Sequence, residues 1–575
     1  MGKANRHGWL GTRIARSLRA AYLLASLIVG SALGGHAQVL DTTGIPGGAS
    51  SYVPMDSWVY PAIERLAAEG YVQTAFLSLR PWTRNECARL VDEAEDLMTD
   101  APANSDAPRW LGALQREFAP ELAESGSFRT TAQIESIDQR ATVIAGRPLT
   151  DGFHFAETLT NDDGRPFGRG VNLYSGVAVR GTVGPFAGYV RTEFQRAAAA
   201  PAPSAFAQQQ IAAADFTSSA AAGPVSGVAR GRLLEGYLSF AFANNQLTFG
   251  RQSLWWGPGR SGATLFSNNA EPIDMLRYDR VRPFLLPGFL SIIGPMRVEL
   301  LMGRLAGTQF ARPSNILYGR PGFALHDQPF LHGEKISFHP TPNFEFSGSR
   351  TVILGGPGAP VTTRSFLRSL FSPSVANGKV DPGDRRFAFD ASYRIPGVRD
   401  CVTGYFDGFA DDQVFPLLYP TESTWIPGVV LRCVPHAPQL TLRAEGLVSP
   451  YRDLTFPGFF YFNVHYLSGY TNDRQLIGSW IGREASGEQL WTTWNFSPRS
   501  SIEVSGRSMN VAREFLRGGE LRDLRVEANI AIRPAWQLIA QEQTEWWRFP
   551  LLSASLQRNA AFTLQLSYRP EKAAQ

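Results

Sequence analysis

The sequence contains little charge, few cysteines and, beyond its first segment, no long apolar run. Charged residues make up 18% of the chain and hydrophobic residues 44%, a composition unlike that of disordered proteins. Three cysteines are too few to staple a small secreted scaffold. Because no apolar run of about eighteen residues follows Ala37, we expect no membrane-spanning helix. A folded globular protein and a barrel that crosses a membrane with strands are both compatible with these absences.

The net charge of +4 does not indicate a nucleic-acid partner. Its positive excess comes from one short N-terminal segment without acidic residues. The cations of that segment are Lys3, Arg6, Arg13, Arg16 and Arg19. Without them the chain is slightly acidic, so a basic surface for nucleic acid is not expected.

The same segment opens a secretory signal peptide. An apolar stretch from Ala20 to Leu33 follows the cations, and small residues surround Gly35-His36-Ala37. A basic start, a short apolar run and a small-residue cleavage site are typical of an export signal. We therefore expect residues 1–37 to be removed after Ala37 and the protein to be exported. A retained membrane anchor is the alternative, and the early polar break at Gly34 counts against it.

A small helical bundle is predicted for residues 38–126. Asp56 or Ser57 is expected to begin the first helix and Gly70 to end it. Thr83 and Glu86 have the spacing of a capping box at the start of the second helix. Apolar residues at helical spacing follow this box at Cys87, Leu90, Val91, Ala94, Leu97 and Met98. A third helix is expected between Trp110 and Phe118, and we find no catalytic constellation in this region.

From Ser127 onward the hydrophobic period changes to two. One alternating run pairs an apolar set with the polar residues Arg525 and Glu527. The apolar residues of that run are Leu524, Val526, Ala528, Ile530 and Ile532. Similar runs surround Arg297 and Glu299 and recur towards the C-terminus. Each run is typical of a strand with one apolar and one polar face.

A single closed sheet accounts best for this long alternating region. Closure removes the exposed strand edges, and lipid outside with polar groups inside produces this alternation. We predict a transmembrane antiparallel β-barrel over residues 127–575, with about 16 to 20 strands and 18 as the preferred even number. A soluble propeller is disfavoured because we find no repeat of about 40–50 residues.

Aromatic clusters and long polar stretches supply further detail of the barrel. Three aromatic clusters are predicted to lie in the interfacial girdles of the barrel: residues 255–256, 459–461 and 546–549. Two stretches, residues 196–230 and 355–382, are predicted to be external loops, the first of low complexity.

One segment resembles a known family. Residues 247–270 run from Leu247 through Trp255-Trp256-Gly257-Pro258-Gly259 to Ser267-Asn268-Asn269-Ala270. This pattern is similar to the signature of the Wzi capsule-assembly family. The N-terminal segment with Val53-Pro-Met-Asp-Ser-Trp58 and Arg80-Pro81 also resembles that family's opening helices.

The resemblance implies both a fold and a function. It implies an outer-membrane β-barrel with a periplasmic helical bundle, in contact with membrane lipid and with the machinery that inserts barrels. It also implies a lectin-like role in attaching capsular or extracellular polysaccharide at the bacterial surface. The identity of the glycan does not follow from it.

A glycan site needs aromatic faces for sugar C–H surfaces and polar groups for the hydroxyls. The residues that we select on this basis are Trp255, Trp256, Asn268, Asn269, Tyr419, Trp425, Tyr461 and Tyr466. A packed turn or girdle is the alternative for the two tryptophans, and a satisfied turn is the alternative for the two asparagines. Gly257, Pro258 and Gly259 are expected to form a tight structural turn.

Enzymatic and cofactor chemistry finds little support in the sequence. Gly257 to Gly262 matches G-x-G-x-x-G, but no helix is predicted after it, so a dinucleotide site is not expected. The cluster of His326, Asp327, His332 and Glu334 matches no zinc spacing, and no G-x-S-x-G elbow occurs. We expect no cofactor, no metal and no enzymatic activity.

A disulfide and a competing function stay open. Cys401 and Cys433 lie on neighbouring predicted strands and are a candidate pair in an oxidising compartment. A polar lumen is also typical of a porin or substrate-selective channel. Lumenal charges of mixed sign, such as Arg297, Glu299, Arg525 and Glu527, would pair and close such a pore.

Overall fold

The structure is a computed structural model that describes residues 38–39, 48–98, 106–123, 130–220, 226–371, 383–411, 423–449 and 457–570. The signal peptide predicted for residues 1–37 lies outside these ranges. No helix among the described residues is long and apolar enough to cross a membrane.

Four helices precede the sheet. They are α1 Val59–Glu69, α2 Arg84–Leu97, α3 Ala107–Glu117 and α4 Ala119–Leu122. Helix α1 begins a few residues later than expected and ends at Gly70, whose φ of 95° suits glycine. The hydroxyl of Thr83 accepts a hydrogen bond from the backbone N–H of Glu86. The carboxylate of Glu86 pairs with Arg89 instead of completing the box.

Eighteen strands form a closed antiparallel barrel, as predicted. The first nine are β1 Thr130–Ile144, β2 Gly170–Val183, β3 Phe186–Ala197, β4 Val228–Phe242, β5 Asn245–Gln252, β6 Ile273–Arg280, β7 Met296–Arg304, β8 Phe330–Thr341 and β9 Phe344–Leu354. The others are β10 Asp384–Arg394, β11 Val402–Asp411, β12 Thr424–Leu431, β13 Leu440–Val448, β14 Ala485–Ser497, β15 Ser500–Val511, β16 Gly519–Arg533, β17 Trp536–Arg548 and β18 Gln557–Tyr568.

Each strand pairs with its chain neighbours, and the ring closes where β18 pairs with β1. The closing register runs from Ala561 opposite Ile144 to Tyr568 opposite Ile137. Most connections at one end are short turns of a few residues, whereas those at the other end are long. We call these the short-turn end and the long-loop end.

The outer wall is apolar and the inner wall polar. Leu524 and Val526 of β16 are exposed on the outside, whereas Arg525 faces inward. Phe249 of β5 is 71% exposed. An apolar outer band of this kind matches a lipid bilayer. On β7 the outer residues are instead covered by the segment that ends in the 3-10 helix Gly288–Ile293.

The aromatic clusters predicted as girdles lie mainly elsewhere. Trp256, Tyr461, Trp547 and Phe549 are buried in two apolar clusters inside the barrel or under its long loops. The prediction was wrong for them because a sequence of aromatic residues does not show which way a loop folds. Exposed aromatic residues at the short-turn end of the outer wall include Trp494, Phe496 and Trp536.

The helical region docks on the short-turn end. Glu64 of α1 pairs with Arg432 at 2.9 Å and with Arg443. Burial by itself would raise the pKa of Glu64, but the two guanidinium groups overcome it and lower this pKa to about 2. Deeper in the lumen, Glu345 accepts hydrogen bonds of 3.0 Å from the backbone N–H groups of Leu77 and Ser78.

Both predicted external loops contain a helix. Helix α5, Ala205–Ala214, lies in the first, and its Ala207 and Ile211 are buried in the apolar cluster at the long-loop end. Helix α6, Thr363–Phe371, lies in the second. The low-complexity composition of residues 196–230 therefore conceals a packed segment.

Candidate functional site: a half-filled lumen

The segment with the paired tryptophans folds into the barrel. Residues 253–272 connect β5 to β6 at the long-loop end, yet Trp255 and Trp256 form a short antiparallel pairing with Arg80 and Leu79. Residues 79 and 80 belong to the N-terminal region, which enters from the short-turn end. Two segments from opposite ends therefore meet inside the lumen.

Two carboxylates of the wall hold this loop. Asp407 accepts hydrogen bonds from the N–H of Thr264 at 2.7 Å and from its hydroxyl at 2.8 Å. Glu445 accepts from the N–H groups of Arg260 at 2.7 Å and Ser261 at 2.9 Å. Both carboxylates are buried, and buried hydrogen bonds to charged groups are among the strong ones. The loop is fastened to the wall along its length.

Two more wall carboxylates bind the start of the loop. Glu235 accepts from the N–H of Ser253 at 3.1 Å, and Glu299 accepts from the indole N–H of Trp256 at 3.2 Å. Trp256 is buried against Phe266, with ring centroids 4.7 Å apart. This tryptophan is part of the core, which places it away from any ligand surface.

The glycines of the motif allow close approach to these carboxylates. A Cβ on Gly257 would lie 2.7 Å from a carboxylate oxygen of Asp407 and 3.0 Å from Ala263 Cβ. A Cβ on Gly259 would lie 3.3 Å from the carbonyl oxygen of Gly262. Since real Cβ atoms do not approach oxygen this closely, the first position requires glycine. Pro258 between them is buried.

The tyrosines selected as glycan contacts are internal. The hydroxyl of Tyr461 donates to the carbonyl oxygen of Thr264 at 2.7 Å, and that of Tyr466 donates to the carbonyl oxygen of Gly355 at 3.0 Å. Both side chains are buried in the apolar cluster that fills one side of the lumen. Their selection as surface contacts is contradicted by this position, because their polar atoms already bind the protein.

Three more of the selected residues also lie away from a ligand surface or outside the described structure. The side chain of Asn269 is buried and accepts a hydrogen bond from the N–H of Asn161 at 3.2 Å, as in a satisfied turn. Trp425 lies on β12 with its ring 5.8 Å from that of Phe406, on the outer wall. Tyr419 lies outside the described residues.

Trp255 and Asn268 lie elsewhere, on a lumenal chamber of about 580 Å³. Strands β6 to β11 enclose the apolar cluster, and we call this side the filled half. The chamber is bounded mainly by β14 to β18 and β1 to β3, and we call that side the chamber half. The lumen is therefore divided lengthwise into a packed side and a polar cavity.

Strand register arranges the chamber wall in polar rows. One row crosses five neighbouring strands with each residue opposite the next. Its members are Thr493, Glu503, Glu527, Gln541 and Thr563. Because inward residues alternate with outward ones, each row presents hydroxyl, carboxylate and amide groups at one height of the barrel.

Arginine supplies every cationic side chain of the chamber lining. Among the described residues, the lining contains twelve arginines, ten acidic residues and no lysine. Arg260, from the inward loop, is 44% exposed and pairs with Glu503 at 2.7 Å. Arg525, from the wall, is 38% exposed and pairs with Glu527. These guanidinium groups keep N–H donors that face the chamber.

A buried ionic cluster closes the long-loop end. His154 contacts Asp151 at 2.8 Å and Asp215 at 2.8 Å, and Asp215 binds Arg483 at 2.6 Å. Burial alone would lower the pKa of His154, but the two carboxylates raise it to about 9. We call these four residues the histidine clamp, and it joins three long loops.

Cys401 and Cys433 are joined by a disulfide. Among the described residues, these cysteines and Asp400 are the one group with donors close enough for a metal ion, and the disulfide occupies both sulfurs. His326 is exposed beside Asp327, whereas His332 is buried and lies 3.6 Å from Glu334. Cys87 is buried in helix α2.

Sequence reasoning missed the histidine clamp and three of the four wall carboxylates; Glu299 was predicted to be lumenal, but not to bind the loop. Asp407 and Glu445 are isolated acids on inward-facing strand positions, followed directly by glycine. An acid at such a position is expensive unless it is paired, and this is a usable signal. Their partners lie 143 and 185 residues away, so the pairing itself was not predictable.

The chain is similar to known proteins over most of its length. Residues 139–562 match the family of the capsule assembly protein Wzi. A solved structure of Escherichia coli Wzi, described as an outer membrane protein involved in group 1 capsule assembly and a carbohydrate-binding β-barrel, superimposes with a TM-score of 0.64. The two sequences are 13% identical, and the superposition covers 91% of this chain and 100% of that one.

A Klebsiella pneumoniae protein of 55.8 kDa from the cps region, itself uncharacterized, is 22% identical over 197 residues. That match covers 34% of this chain and 35% of the relative. Pseudomonas aeruginosa OprD superimposes with a TM-score of only 0.37 and 10% identity, over 76% of this chain and 94% of that one. Since the family match extends from residue 139 to residue 562, the chain belongs to the Wzi capsule assembly family.

Proposed function

We propose that this protein binds capsular or other extracellular polysaccharide and attaches it at the cell surface. Membership of the capsule assembly family supports this proposal, as does the shared fold with a protein described as a carbohydrate-binding barrel. A lumen that is occupied by the protein's own segments suits attachment better than conduction. The meeting of Trp255 and Trp256 with the N-terminal segment inside the lumen is the observation that carries the proposal.

The proposed location is the bacterial outer membrane, with residues 1–37 as a cleaved export signal. Barrels of this membrane have short periplasmic turns and longer extracellular loops. We therefore assign the short-turn end and the helical region, residues 38–126, to the periplasm. The long-loop end and the histidine clamp then face the cell exterior, and residues 127–575 form the membrane domain.

A channel is the competing function, because inward-facing polar rows also occur in porins. The filled half counts against it: the lumen is crossed by residues 253–272, which four wall carboxylates bind. Steady currents through the purified protein in a planar bilayer would favour the channel. We expect a closed barrel.

The direct experiment is deletion of the gene followed by measurement of cell-bound and released polysaccharide. We expect the total amount to be unchanged and the released fraction to rise. The detergent-purified protein should also retain the host polysaccharide on a glycan array. Unchanged retention in the deletion strain, together with no binding on the array, would contradict the proposed function.

A further inference from the structure

The chamber has the size and enclosure of a ligand site. Its volume of about 580 Å³ lies within the range of small-molecule pockets, roughly 300–1,000 Å³. Above it, the apolar cluster with Trp480, Trp547 and Phe549 is buried and closes the long-loop end. At the short-turn end its lining includes Asp56 and Pro61, both of which are exposed. A ligand would therefore enter from the short-turn end.

Several polar atoms in this lining have no partner among the described residues. They include the indole N–H of Trp255, the side-chain oxygen of Asn268 and the Nε–H of Arg525. Trp255 is only 7% exposed, and nearly all buried polar groups in proteins are hydrogen-bonded. Unsatisfied buried donors and an acceptor thus lie on residues that line one cavity, both on the inserted loop and on the facing wall.

The charge of the lining favours an anionic ligand. The lining contains twelve arginines and ten acidic residues. Arg260 and Arg525 are partly exposed, and each pairs with one carboxylate, so further N–H groups of both side chains stay available to a ligand. A guanidinium can bind a carboxylate through two parallel N–H groups. The two arginines share Glu503 and Glu527 as neighbours, so both act on the same part of the chamber.

The remaining lining suits hydroxyl groups. Amide side chains of Gln489, Asn529, Gln541 and Gln565 face the chamber, and each amide can both donate and accept. Amides on several heights of the wall match a ligand with many hydroxyls spread along its length. Carboxylate and hydroxyl groups together are the chemistry of acidic sugars.

We propose that the chamber binds a short acidic oligosaccharide segment that enters from the short-turn end. Arg260 and Arg525 bind its carboxylates, and Trp255 and Asn268 bind its hydroxyls. This inference goes beyond the proposed function, since it assigns a ligand class to a site inside the barrel that opens towards the end assigned to the periplasm. Three of these four residues belong to the inserted loop 253–272, and Arg525 belongs to the wall.

The test measures binding of trigalacturonic acid to the full-length protein in detergent by isothermal titration calorimetry. Neutral maltotriose is the matched probe without carboxylates. We expect the acidic trimer to bind at least about tenfold more tightly, since a hydrogen bond between charged groups is worth that much. Equal binding of both probes, or binding of neither, would overturn the proposal.

Three variants locate the binding. Arg525→Gln removes a cation of the chamber, and Trp255→Phe keeps an aromatic ring but removes its N–H. Each should weaken binding of the acidic trimer by about fivefold or more. Arg522→Gln lies on the same strand but faces outward and should bind like the wild type. Melting curves show that the variants are folded, and wild-type affinity in both chamber variants would contradict the assignment.

The entry route has its own test. Asn495→Cys places a thiol on the chamber lining near the short-turn end, and Thr492→Cys places one on the outer face of the same strand. A polyethylene-glycol maleimide on residue 495 should abolish binding of the acidic trimer, whereas the same label on residue 492 should not. Full binding with residue 495 labelled would overturn entry from this end.

The experiments give different results when this inference fails and when the proposed function fails. If the acidic trimer does not bind but the deletion strain releases its surface polysaccharide, the chamber assignment is wrong and attachment stands. If the deletion strain keeps its polysaccharide while the purified chamber binds the trimer, the chamber assignment stands and attachment is wrong.

Discussion

The two halves of the lumen contain the same types of inward-facing residue in different surroundings. In the filled half, Arg277 donates to Glu299 at 2.8 Å, and both side chains are completely buried. In the chamber half, Arg525 pairs with Glu527, and the carboxylate is 23% exposed. An inward polar position on a strand therefore does not determine whether the residue holds packed protein in place or lines a cavity.

The difference arises from what each wall meets. Strands β6 to β11 face the loop 253–272 and the N-terminal segment, whose backbone N–H groups need acceptors once they leave water. Wall carboxylates supply these acceptors. Strands β14 to β18 meet the inserted loops through individual side chains, such as Glu503 with Arg260 and Glu545 with the hydroxyl of Thr158. Other polar side chains of these strands pair with one another, as Arg507 does with Asp523.

The largest effect is expected from removing a wall carboxylate of the loop. Glu445→Ala leaves the N–H groups of Arg260 and Ser261 and the hydroxyl of Tyr405 without their acceptor. Because each unsatisfied buried donor costs about 1–3 kcal/mol, we expect a loss of about 3–6 kcal/mol in the free energy of unfolding. Urea unfolding in detergent measures it, and bilayer recordings would show whether the loosened loop admits ions.

Glu527→Ala is the control for this prediction, because it removes a partly exposed carboxylate of the chamber. We expect it to lower the free energy of unfolding by less than about 1 kcal/mol. Similar losses in both variants would show that a carboxylate that binds the inserted backbone does not differ from one that lines the chamber.

A second comparison uses the arginines. Arg277→Met leaves Glu299 buried without its cation, and breaking a buried ion pair in this way costs about 3–5 kcal/mol. It also removes the guanidinium that lies 4.3 Å from the ring of Tyr52, so protease cleavage before α1 should become faster. Arg525→Met should cost less than about 1 kcal/mol. A larger loss for Arg525→Met than for Arg277→Met would reverse the comparison.

Removal of the disulfide tests how much the short-turn end stabilises the docked helix α1. Cys401 and Cys433 join the turns that carry Arg399 and Arg432, and both arginines bind helix α1. Replacing both cysteines by serine should lower the free energy of unfolding by about 2–4 kcal/mol. Thiol counting in denaturant should find one free thiol in the wild type, Cys87. Three free thiols would contradict the bond.

The smallest effect concerns pH and the histidine clamp. The pKa of His154 is raised from 6.5 to about 9, so the folded state binds the proton more tightly than the unfolded state. The resulting stabilisation, up to about 3 kcal/mol, is complete below about pH 6.5 and is lost as the pH rises through about 9. Melting temperatures between pH 6 and 10 measure it. A wild-type curve as flat as that of His154→Gln would contradict the clamp.

The barrel was predictable because its signals are local. Alternation around Arg525 and Glu527 fixes which face of β16 turns inward, and the strand count follows from the length of the alternating region. The capping Thr83 was also predictable, since its partner is three residues away. The division of the lumen into a filled half and a chamber half was not predictable, because the contacts of Asp407 and Glu445 join residues that are far apart in the chain.

In the candidate site, too, local features were predictable and contacts between distant residues were not. The motif around Trp255 and Trp256 was recognisable, and the tight turn expected at Gly257 to Gly259 stays a prediction. Whether an aromatic residue faces ligand or core depends on where a loop folds, so Trp256, Tyr461 and Tyr466 were placed wrongly. Trp255 differs from Trp256 by one position, yet it borders the chamber while its neighbour packs in the core.

The pairing of β18 with β1, which closes the barrel, has a consequence for assembly. Five carboxylates that bind the inserted segments, Glu235, Glu299, Glu345, Asp407 and Glu445, lie on β4 to β13, whereas Glu503, which pairs with Arg260, lies on β15. The packed side can therefore be completed while the sheet is still an open, curved ribbon. The last strands to be synthesised then enclose the chamber, while their residues Met509, Leu521 and Trp547 pack into the apolar cluster under the long loops.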